Sequence, residues 1–239
     1  GECTRGHQGK TRCAGTVMDA LLHKRHCVFL GASGNGKTEL SVNFAVSAAK
    51  SAAVSFFDMD QTKGLFRSRD LFDELAANGI ETVDTYNFQD APIVPAGVQS
   101  RIRDENTLCV FDVGGNAAGA VMIGQYTGIM RPEDTDYFYV INPCRPFTET
   151  AEDIERSMVE ILYASRIDPS WIKLVSNPNM GRETTAALAL EQHRRLEKLT
   201  ERLGMKPVAL CADAAYSAEL AGEVDVPVLP LRLYLRRFY

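Results

Sequence analysis

The chain has 239 residues, of which 45% are hydrophobic and 24% are charged. These proportions are typical of a globular protein with one sizeable core, and they exclude the disordered and fibrous classes. Lys and Arg number 26 against 31 Asp and Glu, and the net charge of −5 disfavours binding to nucleic acid through the overall field. No apolar run reaches the roughly 18 residues that a membrane helix needs, so we expect no membrane segment.

Six cysteines are scattered along the chain without a CxxC pair, which argues against zinc-ribbon and thioredoxin-like classes. Three of them fall in apolar, strand-like runs and are interpreted as small buried side chains: Cys27, Cys109 and Cys211. Cysteine usage of this kind indicates a reduced, cytoplasmic protein. Cys3, His7 and Cys13 could together hold a metal, but a loose tail with incidental thiols is the favoured interpretation.

Short apolar runs alternate with longer amphipathic ones along the chain. The apolar runs predict strands at residues 26–30, 53–58, 80–83, 107–113, 137–142, 171–176, 206–211 and 226–231. The intervening runs predict helices at 37–50, 67–78, 96–104, 117–130, 150–166 and 183–203, with a short helix near Ala218. Such alternation predicts an α/β fold, with a mostly parallel sheet covered by helices on both faces. Because no repeat or linker interrupts the pattern, we expect one domain at 26–239 after an N-terminal extension at 1–25.

Residues 31–38 (GASGNGKT) match the complete phosphate-binding pattern GxxxxGK[ST], between a predicted strand and a predicted helix. Glycines let the backbone turn several N–H groups towards one anion, and the helix adds its positive end. Lys37 is expected to reach the β- and γ-phosphates, and the Thr38 hydroxyl to hold Mg²⁺. The predicted nucleotide contacts in this segment are Gly31, Ser33, Gly34, Asn35, Gly36, Lys37, Thr38 and Glu39.

Two of the predicted strands end in acidic residues. Asp58 and Asp60 follow the second strand, and Asp112 lies near the end of the fourth, three residues before Gly115. Ligands of open α/β sheets bind at the carboxyl ends of strands, so these carboxylates are expected to face the nucleotide. Asp112 is predicted to be the carboxylate that lies close to Mg²⁺. Gly115 is predicted to donate its backbone N–H to the γ-phosphate. The alternative for Asp112 is a helix N-cap or a carboxylate at the start of a loop. For Asp58 and Asp60 the alternative is that acidic residues often follow strands without a functional role.

The order GxxxxGKT, Asn43 in the following helix, DxD at 58–60 and DVGG at 112–115 resembles the MinD/ParA-type P-loop ATPases of the SIMIBI class. That class also includes dethiobiotin-synthetase-like and cobyrinate-synthase-like enzymes and nickel-insertion ATPases. The stretches at 66–70, 111–120 and 176–185 look like a poorly characterised ATP-binding subgroup of it. The resemblance implies a three-layer P-loop NTPase fold with ATP and Mg²⁺ as cofactors.

The same resemblance implies roles for single residues. Asp60 would orient the attacking water, which gives Lys37, Asp60 and Asp112 as the predicted catalytic set. Asp58 would lie near Mg²⁺ together with Thr38 and Asp112, and Asn43 would support the switch region. Asn177, just after the sixth predicted strand, would read the adenine edge, with a turn before Pro178 as the alternative.

Two departures from the family pattern affect the expectations. Ala32 occupies the position of the signature lysine, which in these ATPases reaches the partner's nucleotide, so an ATP-sandwich dimer is doubtful here. Residues 177–180 (NPNM) contain no Asp that could pair with guanine, so we expect ATP to be preferred over GTP.

Other polar residues have competing interpretations. Arg67 and Arg69 could clamp an acidic substrate or phosphate, or could lie on a solvated helix start. Cys144 could be a reactive thiol, but an idle one is favoured because no His or second Cys is near it in the sequence. Residues 193–195 (HRR) are interpreted as a solvated helix face.

Three functions are compatible with these observations. The first is an ATPase whose nucleotide state switches its docking to a protein partner, for example a metalloenzyme under maturation. The second is a ligase or kinase-like enzyme that activates a small carboxylate with ATP. The third is a regulatory module that binds nucleotide with negligible turnover.

Overall fold

The computed structural model describes residues 18, 21, 24–59, 65–84 and 96–235. Within these ranges eight strands form: β1 His26–Leu30, β2 Ala53–Met59, β3 Glu81–Asp84, β4 Thr107–Val113, β5 Thr135–Ile141, β6 Ile172–Ser176, β7 Pro207–Asp213 and β8 Val228–Leu231. Seven α-helices accompany them: α1 Lys37–Ala48, α2 Leu65–Ala77, α3 Ala96–Arg103, α4 Ala117–Gly124, α5 Ala151–Ser165, α6 Ala186–Glu201 and α7 Ser217–Leu220. The predicted strands and helices are confirmed with shifts of a few residues at their ends, except for the second half of the predicted helix at 117–130.

The strands form one sheet in the order β3-β2-β4-β1-β5-β6-β7-β8, and every neighbouring pair is parallel. Parallel neighbours require a crossover, and the helices between the strands supply it. After β1 the chain first builds one half of the sheet, with β2, β3 and β4. From β5 onwards it builds the other half, on the opposite side of β1. The carboxyl ends of β1, β4 and β5 therefore meet at the reversal point, where open α/β sheets bind ligands.

Side chains of each strand alternate between two cores, one on either face of the sheet. In β5, Tyr137 and Tyr139 pack on the side of α3, α4 and α5, whereas Phe138 and Val140 pack on the side of α1 and α2. A strand covered on both faces has no polar side, which explains why the central strands are continuous apolar runs in the sequence.

Helix ends follow local capping chemistry. The hydroxyl of Thr150 accepts the Asp153 N–H at 3.1 Å, which confirms the predicted start of α5. The predicted helix at 117–130 is wrong in its second half, since α4 ends at Gly124. The N–H groups of Gln125 and Tyr126 bond three residues back, and the hydroxyl of Thr127 donates to the Gly124 carbonyl at 3.0 Å. These bonds satisfy the last carbonyls of α4, so the helix need not continue.

The predicted boundary at residue 25 falls in a region of which little is described. Met18 and Leu21 are buried and belong to the core on the α1 side of the sheet. Across the described ranges, none of the helices combines the length and the apolar character that a membrane crossing requires.

Candidate functional site

The loop between β1 and α1 forms a cradle that only glycine can build. Gly31, Gly34 and Gly36 have φ of 135°, 79° and 85°, a region that disfavours other residues. A Cβ on Gly31 would lie 2.3 Å from the carbonyl oxygen of Val140, and one on Gly36 would lie 2.2 Å from Nδ2 of Asn177. The loop therefore lies against its neighbours at Gly31 and Gly36, with no space for a side chain at either residue.

Two buried amides hold this loop in place. Nδ2 of Asn35 donates to the Val140 carbonyl at 2.9 Å, and Nδ2 of Asn177 donates to the Asn35 carbonyl at 2.8 Å. These bonds join the loop to β5 and to the end of β6. Its shape is thus set by the protein itself, which is the condition for a preorganised anion site.

Lys37 and Thr38 open α1 directly after the cradle. The Lys37 side chain is buried and turns back over the loop, where Nζ donates to the Ala32 carbonyl at 2.9 Å. Thr38 is half-buried in the first turn. Both residues lie where the motif predicts them, at the positive end of a helix of 12 residues.

Two of the three predicted acidic residues lie side by side. Asp58 of β2 and Asp112 of β4 are register partners, both fully buried, and Asp112 is also the register partner of Phe29 in β1. The helix-cap alternative for Asp112 is wrong, because Asn116 caps α4 by accepting the Gly119 N–H at 2.9 Å. Asp60 lies outside the described residues.

The segment after β4 touches the cradle. A Cβ on Gly115 would lie 2.4 Å from the backbone nitrogen of Ser33, whose hydroxyl donates to the Gly115 carbonyl at 3.4 Å. The structure therefore brings Gly115 beside the predicted phosphate site. Its contact with a γ-phosphate stays a prediction.

Asn177 lies directly beside the cradle. Its side chain is buried and its amide donor is engaged with Asn35, so the structure assigns it to the support of the cradle. The reading of adenine by Asn177 stays a prediction, and this arrangement does not support it.

A cleft of about 210 Å³ lies beside the ends of β6, β7 and β8. Its lining includes Asn177, Asn179, Arg182, Asp213, Tyr216 and Leu233. Sequence reasoning missed Asp213, although it ends a predicted strand region just as Asp58 and Asp112 do. Oδ1 of Asp213 accepts the Ala215 N–H at 3.0 Å, so this carboxylate helps to hold its own loop.

Glu39 and Asn43 of α1 contact the segment after β8. The Glu39 carboxylate accepts the N–H groups of Tyr234 and Leu235, the latter at 3.2 Å to Oε2. The side chain of Asn43 bonds both the N–H and the carbonyl of Arg232, at 2.9 Å each. The role in the switch region that the resemblance implies for Asn43 stays a prediction beside this contact, and so does nucleotide binding by Glu39.

The interpretation of residues 193–195 as a solvated face is wrong in two of three positions. His193 is fully buried, and burial lowers its pKa. Arg195 is half-buried and donates to the carbonyls of Pro143, Thr148 and Glu149, each at 3.3 Å. Only Arg194 is exposed, beside Glu223 at 3.8 Å.

Of the remaining candidates, the structure describes the side chain of Cys144. Burial raises the pKa of the Cys144 thiol, which supports the idle interpretation. The side chains of Arg67 and Arg69 lie outside what the structure describes, as do Cys3, His7 and Cys13. Within the described ranges, no group of three or more His, Cys, Asp and Glu side chains is placed to hold a metal ion.

No family model matches this sequence, and no curated protein matches it. Similar solved structures include FlhF complexed with GTP and Mg²⁺, at 16% identity and a TM-score of 0.46, covering 73% of this chain and 62% of that one. FlhF complexed with GMPPNP and Mg²⁺ is 18% identical, with a TM-score of 0.40 and coverage of 70% and 60%. The BceF tyrosine kinase domain is 18% identical, with a TM-score of 0.37 and coverage of 66% and 71%.

The chain spans less than two thirds of the length of the two FlhF chains. Likenesses this distant assign no function. The fold follows from the molecule itself, because a parallel sheet covered on both faces carries a glycine cradle between its central strand and the next helix. The chain therefore has the three-layer α/β fold of P-loop NTPases.

Proposed function

We propose that the chain is a Mg²⁺-dependent ATPase, related to the MinD/ParA-type enzymes, whose nucleotide state changes its docking to a protein partner. The observation that carries this proposal is the preformed cradle at residues 31–36, closed by Lys37. A loop of three positive-φ glycines at the start of a helix presents N–H groups and a positive end to one anion. Lys37 adds a fixed charge for the β- and γ-phosphates.

The residues around the cradle fit a magnesium ion. Thr38 provides a hydroxyl in the first turn of α1, and Asp58 and Asp112 provide two adjacent carboxylates at the ends of their strands. Hard oxygen donors of this kind are those that Mg²⁺ prefers, and most of its remaining ligands in such sites come from phosphate and water. The ion would neutralise charge that develops on the phosphates. Asp60 is proposed to orient the attacking water.

ATP remains the proposed nucleotide. Guanine presents two N–H groups to one carboxylate, and in the described cleft Asp213 already accepts the N–H of Ala215 through Oδ1. An Asp213→Asn variant should therefore keep the preference for ATP over GTP. A preference of the original chain for GTP that disappears in this variant would show that Asp213 reads guanine.

Isothermal titration with ATP, together with phosphate release in the presence of Mg²⁺, tests the proposal. Lys37→Ala should abolish binding or turnover while the circular dichroism spectrum is kept, since it removes a charge that water in a closed site cannot replace. Lys50→Ala is the matched control, because Lys50 is exposed beyond the other end of α1. Equal ATP affinity and turnover in Lys37→Ala would overturn the proposal. Phosphate release that requires a small carboxylate would favour the ligase instead.

A further inference from the structure

The side chain of Arg145 lies beside Gly34 of the cradle. A Cβ built on Gly34 would lie 3.6 Å from Nε and 3.9 Å from Cζ of Arg145. Gly34 and Arg145 are both exposed, so the guanidinium borders the open side of the loop. The phosphate-binding motif at 31–38 does not include Arg145, which lies 111 positions after Gly34 in the sequence.

The backbone that carries Arg145 is fixed from several sides. Its N–H donates to the Asn142 carbonyl at 3.1 Å, and its carbonyl accepts the Thr148 hydroxyl at 2.6 Å. Asn142 also donates to the Asn179 carbonyl at 2.7 Å, which ties this loop to the one after β6. Arg195 of α6 then holds the carbonyls of Pro143 and Thr148. The guanidinium therefore extends from a rigid base.

The charge of Arg145 has no acidic partner within 4 Å among the residues that the structure describes. Arginine is weakly hydrated and presents a planar fork of N–H donors that matches phosphate oxygens. A cation placed beside a loop that gathers backbone N–H groups adds to the same positive field. An anion in the cradle is the ligand that this arrangement fits.

We propose that Arg145 binds the phosphates of the nucleotide held in the cradle of its own chain. The inference rests on the proposed nucleotide binding and deepens it, because it supplies from within the chain the positive charge that is missing at Ala32. Arg195 is a positioning residue for this contact. The charge need not come from a second subunit.

Calorimetric titration of a non-hydrolysable ATP analogue with Mg²⁺ tests the inference. A hydrogen bond between charged groups accounts for roughly 10- to 100-fold in affinity, so Arg145→Ala should weaken binding by about that factor. Arg145→Lys should recover part of the loss, because lysine keeps the charge but not the fork. Arg145→Ala should also reduce the dependence of affinity on salt, which a merely structural role would leave unchanged.

Arg131→Ala is the matched control, an exposed arginine before β5 at the opposite edge of the sheet, and it should bind as the original chain does. The melting temperature without nucleotide should stay the same in all these variants. An unchanged affinity in Arg145→Ala, with binding lost in Lys37→Ala, would overturn this inference alone. Equal affinity in the original chain and in Lys37→Ala would overturn the proposed function itself.

Discussion

Asp58 and Asp112 are two carboxylates buried next to each other on neighbouring strands. Neighbouring carboxylates supply hard oxygen donors of the kind that Mg²⁺ prefers. This pairing supports the proposed magnesium site, which stays a prediction.

Asp112→Asn should therefore lower Mg²⁺-dependent turnover, by about 10²-fold, because it removes one charge and keeps the shape of the side chain. Phosphate release measured over a Mg²⁺ titration is the test. Asp134→Asn serves as the control, since Asp134 lies before β5 and pairs with Arg25 at 3.1 Å. Full Mg²⁺-dependent activity in Asp112→Asn would leave Asp112 with a structural role only.

His26 gives a pH dependence of stability. It is fully buried in β1, and burial lowers its pKa from 6.5 to about 4, against a smaller opposite effect of Asp134. Below pH 6.5 His26 takes up a proton in the unfolded chain, whereas in the folded chain it stays neutral down to about pH 4. The free energy of unfolding should therefore fall as the pH decreases through this window, by at most about 1.4 kcal/mol per pH unit from this group.

Urea unfolding at pH 7, 6 and 5 measures this slope, and His26→Gln should flatten it. The carboxylates contribute equally to both proteins, so the difference in slope isolates the histidine. Identical slopes in the two proteins would contradict the burial argument.

At the scale of elements, α1 connects the cradle to the segment after β8. The side chain of Asn43 forms hydrogen bonds with both the N–H and the carbonyl of Arg232, as a neighbouring strand would. One turn earlier in α1, the Glu39 carboxylate accepts the N–H groups of Tyr234 and Leu235. The helix that begins with Lys37 is thus fixed at its first two turns by a distant part of the chain.

Asn43→Ala should lower the free energy of unfolding by about 1–3 kcal/mol, because it removes two hydrogen bonds to the backbone of Arg232, each of which contributes roughly 0.5–1.5 kcal/mol. Ser51→Ala, at an exposed turn after α1, is the matched control and should change it by less than about 0.5 kcal/mol. Urea titration of the two variants compares them directly. A loss in Asn43→Ala as small as in the control would mean that this contact does not hold the segment.

At the scale of the whole molecule, Ala32 bears on assembly, because the proposed relation to MinD/ParA-type enzymes places there a lysine that favours face-to-face dimerisation. Because Arg145 already lies beside the cradle, a second copy is not needed to bring a charge there. We therefore expect that ATP analogues do not by themselves drive a nucleotide-sandwich dimer. Specific activity should be independent of protein concentration and below about 1 s⁻¹. Light scattering with an ATP analogue and with ADP measures the mass. An ATP-driven dimer with activity rising steeply with concentration would contradict this.

The sequence by itself determined the class of fold and the location of the phosphate cradle. Strand and helix positions follow from local periodicity, and the continuous apolar strands imply a sheet covered on both faces. The cradle is equally local, since eight consecutive residues contain its glycines, its lysine and its threonine. Capping of α5 by Thr150 is likewise a short-range property.

Only the tertiary structure decided which residues support that cradle. Asn35 bonds a carbonyl 105 positions away, Asn177 one 142 positions away and Asn43 one 189 positions away. Such contacts depend on strand order, which no local pattern encodes, so the sequence pattern predicts none of them, places Arg195 on a solvated face and does not single out Asp213 or Arg145. The sheet brings the ends of distant strands together, and the function of each polar side chain there depends on its neighbours across the sheet.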